Sequence, residues 1–403
     1  MKQVLLIVLS TLFPLEIIAQ DYLYGNDGLC PTEIRAQTKA PKGYKPFYLS
    51  HYGRHGARYA WDKAVYDNIK EVLDSAYAIG NLSPQGHDFK QHFDDLYPLV
   101  KYRAGDLSKK GWEQQKGLAK QMVTYYPEIF KNGADIQAFT STSTRCIMSM
   151  SAFCLGLTEQ NPSLKIQEHC GYSFLKGVLP LNHHNPFRNQ DYSKTELLFD
   201  ESLQHYVDRK IDVEPILERI FKDVNQALPE DKYWSFVSQL STFANGMKSL
   251  DTEADFTDIF TVEERKALWQ INNFKFYIGA IPDHKAYQTV INDIIQKAEY
   301  KIKTGKHGAD LRFSHDDALL SLMILLGVDS FTTNIIKPDD VSRYCSMHNI
   351  PMGANLHFVL YKNKRLEKIL FKVMLNGEET RISIPTNNWP FYDWEEFKNI
   401  HKQ

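Results

Sequence analysis

The chain has 403 residues, of which 43% are hydrophobic and 24% are charged, and its formal net charge at pH 7 is −2. This apolar content excludes an intrinsically disordered chain. The balanced charge gives no indication of a nucleic-acid partner, and the length predicts more than one core.

The N-terminus has the pattern of an export signal over residues 1–19. A short positive start, Met1-Lys2-Gln3, precedes an apolar run from Val4 to Leu15, and Ala19 is a small residue suited to cleavage. The run is shorter than the ~20 residues that span a bilayer. We therefore expect a mature chain from about Gln20, export to the periplasm or beyond the cell, and no stable membrane insertion.

Five cysteines leave at least one thiol outside any intramolecular disulfide. Cys146 and Cys154 are predicted on one helix, where eight residues span ~12 Å. That separation is too long for a disulfide between them, and the pairing of the others stays open.

Apolar and aromatic runs followed by turn residues predict the strands. In chain order the predicted strands are Pro46–His51, Ile136–Thr140, Leu164–Gln167, Ala309–Ser314, Asn355–Tyr361, Ile369–Leu375 and Thr380–Ile384. Asn376-Gly377 predicts a tight hairpin before the last of them.

Helical spacing predicts a helix that begins at Ser108, one from Arg145 through Leu157, and one over Asp316–Leu326. Strands alternating with helices predict an α/β fold, a doubly wound, mostly parallel sheet with helices on both faces. Residues 20–150 and 305–403 are assigned to this domain. Residues 151–304 are predicted to be a mostly helical insertion that covers the active site.

Charged and nucleophilic residues gather at three predicted strand–loop–helix junctions. They are Arg54, His55 and Arg58 at the first, Arg145 at the second, and His315, Asp316 and Asp317 at the third. Loops at the carboxyl ends of parallel strands converge on one cleft. Guanidinium groups bind phosphate oxygens in pairs, an imidazole attacks phosphorus, and a carboxylic acid protonates a leaving alkoxide. The set therefore predicts phosphoryl transfer without a metal ion.

A structural role is the common alternative for a histidine after a strand. The two arginines that flank His55 argue against it, because burying them requires an anion or carboxylates. His183 and His184 with His169 and Cys170 fit no zinc spacing, so no metal and no cofactor are predicted.

The same residues resemble a known family. Arg54-His55-Gly56-Ala57-Arg58 is similar to the RHGxRxP signature of the histidine acid phosphatases, the second clade of the histidine phosphatase superfamily, with Ala60 in place of the proline. His315-Asp316 resembles the HD motif of that family. Pro351–Tyr361 and Phe371–Gly377 are similar to the C-terminal strands of the multiple inositol polyphosphate phosphatases, the closest group together with the histidine-type phytases.

This resemblance implies a role for each motif residue. His55 is then the nucleophile, and His315 contacts the phosphate and steadies the transition state. The phosphate is bound by Arg54, Arg58 and Arg145.

The resemblance leaves two proton donors open. Phytase-type members place the donor at the position of Asp316, and members of the HAE type place a glutamate at the position of Asp317. We prefer Asp316, because Asp317 has a purely structural alternative as the acid of a capping box that Ser314 would begin.

The resemblance also implies the activity and the partner. We expect a secreted phosphomonoesterase acting on inositol polyphosphates such as phytate, with Lys63 as a candidate contact at the rim of the substrate site. A broad acid phosphatase for sugar or nucleotide esters and a catalytically dead binding protein are the alternatives. The sequence leaves the oligomeric state open.

Overall fold

The computed structural model describes residues 22–180, 197–363, 365 and 367–401. The predicted export signal and the pair His183 and His184 lie outside this range. The strands are β1 Tyr44–Arg54, β2 Asp135–Thr140, β3 Ile166–Cys170, β4 Gly308–Ser314, β5 Asn355–Asn363, β6 Ile369–Leu375, β7 Glu378–Thr380 and β8 Tyr392–Asp393. The helices are α1 Ala64–Ala78, α2 Pro84–Val100, α3 Lys109–Tyr125, α4 Thr144–Gln160, α5 Leu203–Lys210, α6 Glu214–Ile220, α7 Val224–Ala227, α8 Tyr233–Gly246, α9 Val262–Ala280, α10 Gln288–Thr304, α11 Asp316–Leu326, α12 Val341–Tyr344 and α13 Trp394–His401.

The eight strands form one mixed sheet in the order β3-β2-β4-β1-β5-β6-β7, with β8 beside β6. Strands β3, β2, β4 and β1 are parallel, whereas β5 pairs antiparallel with β1 and begins an antiparallel half. The α/β fold predicted from the sequence is confirmed. Strand β1 lies between the two halves, so the loop that follows it leaves from the middle of the sheet.

Helices cover both faces of this sheet. Tyr48 and Tyr52 of β1 belong to a core with α10, α11 and α13, and the intervening Leu49 belongs to a core with α3 and α4. A strand that buries alternate side chains on both sides needs apolar residues throughout. This requirement explains why β1 reads as a continuous run rather than an alternating one.

A second core lies among helices away from the sheet. It joins α1 and α2 to α6 and α8, with Ile69, Phe93 and Leu240 among its fully buried side chains. The predicted boundary at residue 151 falls inside α4, and β3 lies in the sheet. Both elements therefore belong with the sheet, and the division into a catalytic domain and an insertion stays a prediction.

The C-terminal strand prediction was wrong in its extent. The Asn376-Gly377 turn is present, with φ values of 51° and 84°, and β7 follows it over Glu378–Thr380. The chain then leaves the sheet, because the backbone N–H of Ser383 donates to the Leu326 carbonyl at the end of α11. The third predicted strand, Leu164–Gln167, is shifted to Ile166–Cys170.

All five cysteines are free thiols, and Cys146 and Cys154 share α4 as expected. Within the ranges the structure describes, no helix has both the length and the apolar content needed to cross a bilayer.

Two histidines are buried side by side in the sheet. His51 of β1 and His357 of β5 are register partners, their ring centroids are 4.9 Å apart, and Phe153 and Phe313 flank His51. Within the described residues, three of their ring nitrogens have no hydrogen-bond partner: Nδ1 and Nε2 of His51, and Nε2 of His357. Burial holds the pKa of His51 well below its ordinary value and lowers that of His357 to about 3.

Acid should therefore destabilise the fold through this pair. A native state that excludes these protons loses stability as pH falls below the ordinary histidine pKa of about 6.5, by about 2 kcal/mol per group at pH 5. We expect the variant His51→Leu/His357→Leu to lose less unfolding free energy between pH 7 and pH 5 than the parent does. Urea titrations at both pH values measure this, and equal acid losses would contradict it.

Candidate active site

His55 follows directly from β1. The backbone N–H of His55 donates to the Ser314 carbonyl at 3.0 Å, and its carbonyl accepts from the Gly353 N–H at 2.9 Å. Ser314 ends β4, the parallel neighbour of β1, so His315, the next residue of the chain, emerges beside His55. The rings of His55 and His315 meet edge to face with their centroids 5.7 Å apart.

The His55 ring is buried and held in one tautomer. Its Nδ1 lies 2.9 Å from the Gly56 carbonyl oxygen, which only accepts, so Nδ1 carries the proton and Nε2 carries the lone pair. Burial, together with the charges of Arg54, Arg58 and Arg145, keeps the pKa of His55 well below its usual value. The imidazole is therefore neutral and available as a nucleophile at acidic pH.

Close backbone packing fixes the loop after His55. A Cβ on Gly56 would lie 2.6 Å from the Gly111 carbonyl oxygen of α3, and one on Gly111 would collide with the Ala57 carbonyl. Ser149 Oγ and Gln114 Oε1 accept from the backbone N–H groups of Gly56 and Ala57 at 2.9 and 3.1 Å. Only glycine fits at these contacts, and α3 and α4 thereby hold the nucleophile loop from two sides.

Three arginines converge on His55. Arg54 is fully buried, and its Nη1 donates to the Ile350 carbonyl at 2.9 Å and to the Asn26 carbonyl, while its Nη2 lies 2.8 Å from Asp316 Oδ2. Arg58 donates through Nη1 to the Tyr59 carbonyl at 2.9 Å.

Their remaining donors favour an anion. Within the described part of the chain, the buried Nε atoms of Arg54, Arg58 and Arg145 have no hydrogen-bond partner. Unpartnered buried N–H groups on cations are costly unless an anion satisfies them. The sequence expectation that these side chains share one site with His55 agrees with this geometry.

His315, in the loop after β4, contacts residues of the loop after β2. Arg145 Nη2 donates to His315 Nδ1 at 3.2 Å, and Nε2 lies 3.2 and 3.3 Å from the hydroxyl oxygens of Ser141 and Ser143. Burial, followed by the charge of Arg145, lowers the pKa of His315 to about 3. This neutral ring lies beside the nucleophile, and its contact with phosphate stays a prediction.

The two adjacent aspartates have opposite environments. Burial alone would raise the pKa of Asp316, but Arg54 and Arg58, helped by the Asn26 amide, outweigh it and hold that pKa below its usual range. The side chain of Asp317 is accessible to solvent, but the protein atoms packed around its carboxyl group desolvate it. This desolvation, together with the negative charge of Asp316, raises the pKa of Asp317 to about 6. The raised pKa favours the protonated form of Asp317 at mildly acidic pH.

The capping box proposed for Ser314 is absent. Ser314 is the last residue of β4, and its hydroxyl donates to the Val178 carbonyl at 3.2 Å instead. His315 is the residue before α11 and gives no side-chain cap, while Asp317 Oδ1 accepts from the Ala318 N–H at 2.8 Å. Asp317 keeps one free carboxylate oxygen among these contacts.

The N-terminal segment Tyr22–Asp27 completes the site, which the sequence did not predict. Asn26 Nδ2 donates to Asp316 Oδ2 at 2.7 Å, and burial raises the pKa of the neighbouring Asp27 against the lowering effect of Arg58. A short 3₁₀ turn has no periodicity to reveal it. Lys63 lies exposed at the start of α1, and its role at a substrate rim stays a prediction.

Comparison with known families decides the identity of the fold. The model of the histidine phosphatase superfamily (branch 2) matches residues 53–376. The chain belongs to this superfamily. This histidine phosphatase is therefore a hydrolase of small phosphate esters. No curated protein sequence matches it.

Solved structures agree with this assignment at the level of the fold. The multiple inositol polyphosphate phosphatase of Bifidobacterium longum, in complex with inositol hexasulfate, has a TM-score of 0.73 at 14% identity, covering 94% of this chain and 97% of that one. The phytase from D. castellii has a TM-score of 0.65 at 16% identity and covers 94% and 84%. The phytase from Citrobacter braakii has a TM-score of 0.54 at 14% identity and covers 89% and 97%. The histidine phosphatase thus shares a fold with enzymes named for inositol phosphates.

Proposed function

We propose that this histidine phosphatase is an exported enzyme that hydrolyses inositol polyphosphates, phytate among them, through a phosphohistidine on His55. The observation that carries the proposal is the His55 ring, whose Nδ1 is tied to the Gly56 carbonyl and whose Nε2 lone pair is left free among three arginines. Export rests on residues 1–19 alone.

In the first step Nε2 of His55 attacks phosphorus, and the bond from phosphorus to the ester oxygen breaks. Arg54, Arg58 and Arg145 balance the charge that spreads over the three equatorial oxygens. The leaving alkoxide takes a proton from a carboxylic acid of the site, which becomes a carboxylate. In the second step water attacks phosphorus and gives a proton to that carboxylate. The bond from phosphorus to Nε2 breaks, and inorganic phosphate and free His55 result.

We assign the proton donor to Asp317 rather than to Asp316, the residue preferred from the sequence. A general acid must hold its proton at the working pH. The raised pKa of about 6 for Asp317 meets this condition, whereas Asp316 is committed to Arg54 as a carboxylate.

The substrate class rests on likeness. The Bifidobacterium longum enzyme binds inositol hexasulfate, in which sulfates stand where phytate has phosphates. The concentration of guanidinium groups around His55 is compatible with any phosphomonoester.

Phosphate release from phytate and from p-nitrophenyl phosphate, each with chelator at mildly acidic pH, tests the proposal. We expect turnover of both and the higher kcat/KM for phytate, because several phosphates add binding energy to the same chemistry. Chelator should leave the aryl phosphate rate unchanged. Release from the aryl ester alone would indicate a general acid phosphatase, and release from neither would indicate a binding protein that keeps the fold.

A further inference from the structure

One residue of the N-terminal segment contacts both members of the ion pair between Arg54 and Asp316. Asn26 is 7% exposed, its Nδ2 donates to Asp316 Oδ2 at 2.7 Å, and its backbone carbonyl accepts from Arg54 Nη1. Asn272 Nδ2 donates to Asn26 Oδ1 at 2.9 Å. This second contact orients the amide, because it takes the oxygen and leaves the nitrogen to face the carboxylate.

Asp316 acts only as an acceptor in these contacts. Its Oδ2 accepts from Asn26 Nδ2 at 2.7 Å and lies 2.8 Å from Arg54 Nη2 in an ion pair, and its Oδ1 accepts from the Asp317 N–H at 3.1 Å. A protonated Asp316 would have to turn its O–H away from one of these donors. The hydrogen bonds therefore favour the carboxylate form.

The charged groups that face Asp316 come from three elements. Arg54 and Arg58 face it from the end of β1 and stabilise its negative charge, and Asp27 opposes them from the N-terminal segment. His315 and Asp317 adjoin it at the start of α11. A negative charge on Asp316 disfavours a second negative charge on Asp317. When the pair holds one proton, that proton therefore resides on Asp317.

We propose that Asn26 is a positioning residue, whose amide holds Asp316 as an ionised acceptor beside Arg54 and thereby leaves the donated proton on Asp317. The inference rests on the proposed function, since it assigns a role within that catalytic site. It makes the N-terminal segment part of the catalytic site rather than a purely structural element.

Loss of the amide should cost activity. We expect Asn26→Ala to lower kcat/KM for p-nitrophenyl phosphate at pH 5 by about 10- to 100-fold, the usual range for one hydrogen bond to a charged group. Asn81→Ala is the matched control, because Asn81 is 5% exposed and its amide also makes two hydrogen bonds, both to the backbone of Asp223 and outside the catalytic loops. We expect it to stay within about threefold of the parent chain.

An isosteric variant separates positioning from packing. In Asn26→Asp, two carboxyl groups at this distance share a proton at acidic pH, and the shared O–H replaces the amide donor. As pH rises that proton is lost, and two adjacent negative charges weaken phosphate binding. The kcat/KM of this variant relative to the parent should be near one at pH 4 and fall about tenfold or more by pH 7.

The aryl phosphate needs no acid to leave, so its ratio reports phosphate binding beside Arg54. The alkoxide of phytate needs the proton of Asp317, so kcat/KM for phytate should fall further in Asn26→Ala than kcat/KM for the aryl ester does. A ratio that stays constant from pH 4 to pH 7, or an Asn26→Ala chain that folds and turns over like the parent, would overturn the positioning role alone. No turnover by the parent would overturn the proposed function and this inference with it. Thermal unfolding of each variant identifies any loss of fold, and the Asn26→Asp ratio still decides the matter if Asn26→Ala is unfolded.

Discussion

Replacing His55 with alanine is expected to abolish phosphate release, by about 10⁴-fold or more in kcat, without unfolding the chain. The arginines would still bind phosphate, but no group would remain to form the phosphoenzyme. Initial rates with p-nitrophenyl phosphate measure the loss, and rapid acid-free quenching with labelled substrate measures the phosphohistidine.

His284→Ala is a matched control for this change. His284 is 5% exposed, and its Nδ1 also lies against a backbone carbonyl, that of Ile281 at 2.7 Å, outside the three catalytic loops. It should cost stability and leave the phosphoenzyme intact. Near-parental turnover by His55→Ala would remove His55 as the nucleophile.

Substitution of the two aspartates is expected to separate their roles. Asp317→Asn should slow alkyl phosphates such as phytate by about 10²- to 10⁴-fold and aryl phosphates far less, because only the alkoxide needs a proton to leave. At a pH below the pKa of the donor, Asp316→Asn should slow both esters to a similar extent, because it releases Arg54 from its ion pair.

The pH dependence of kcat/KM tests the assignment of the proton donor independently. With an alkyl phosphate, kcat/KM falls as pH rises through the pKa of the free donor, about 6 for Asp317. Removing the negative charge of Asp316 lowers that pKa, so the basic limb of Asp316→Asn should move to lower pH. If Asp316→Asn instead shows the selective loss of alkyl phosphate turnover, the donor is Asp316.

The sequence predicted the parts of the site that are local. The residues next to His55 are enough to predict a strand that is buried on both faces and a glycine-rich loop after it. The same holds for α11, whose predicted bounds Asp316–Leu326 match the structure, because an apolar helix after a strand end needs no distant information.

Distant contacts were beyond the sequence. Asn26 matters through a partner 290 residues away, and a polar turn near the N-terminus gives no sign of it. Asp316 and Asp317 have the same side chain, so their charge states differ only through their surroundings, chiefly Arg54 beside Asp316. The length predicted more than one core, but not the members of the second, because the apolar faces of α1 and α2 do not specify which helices they pack against.

The position of β1 also sets the order in which the protein acquires its structure. It pairs with β4 on one side and β5 on the other, and its Tyr48 hydroxyl donates to Asp310, 262 residues later, at 2.8 Å. Such long-range pairing makes folding slow and leaves strand edges open while it proceeds. The strand that presents His55 therefore stays unpaired until the last third of the chain arrives, and an N-terminal fragment gains no partial activity.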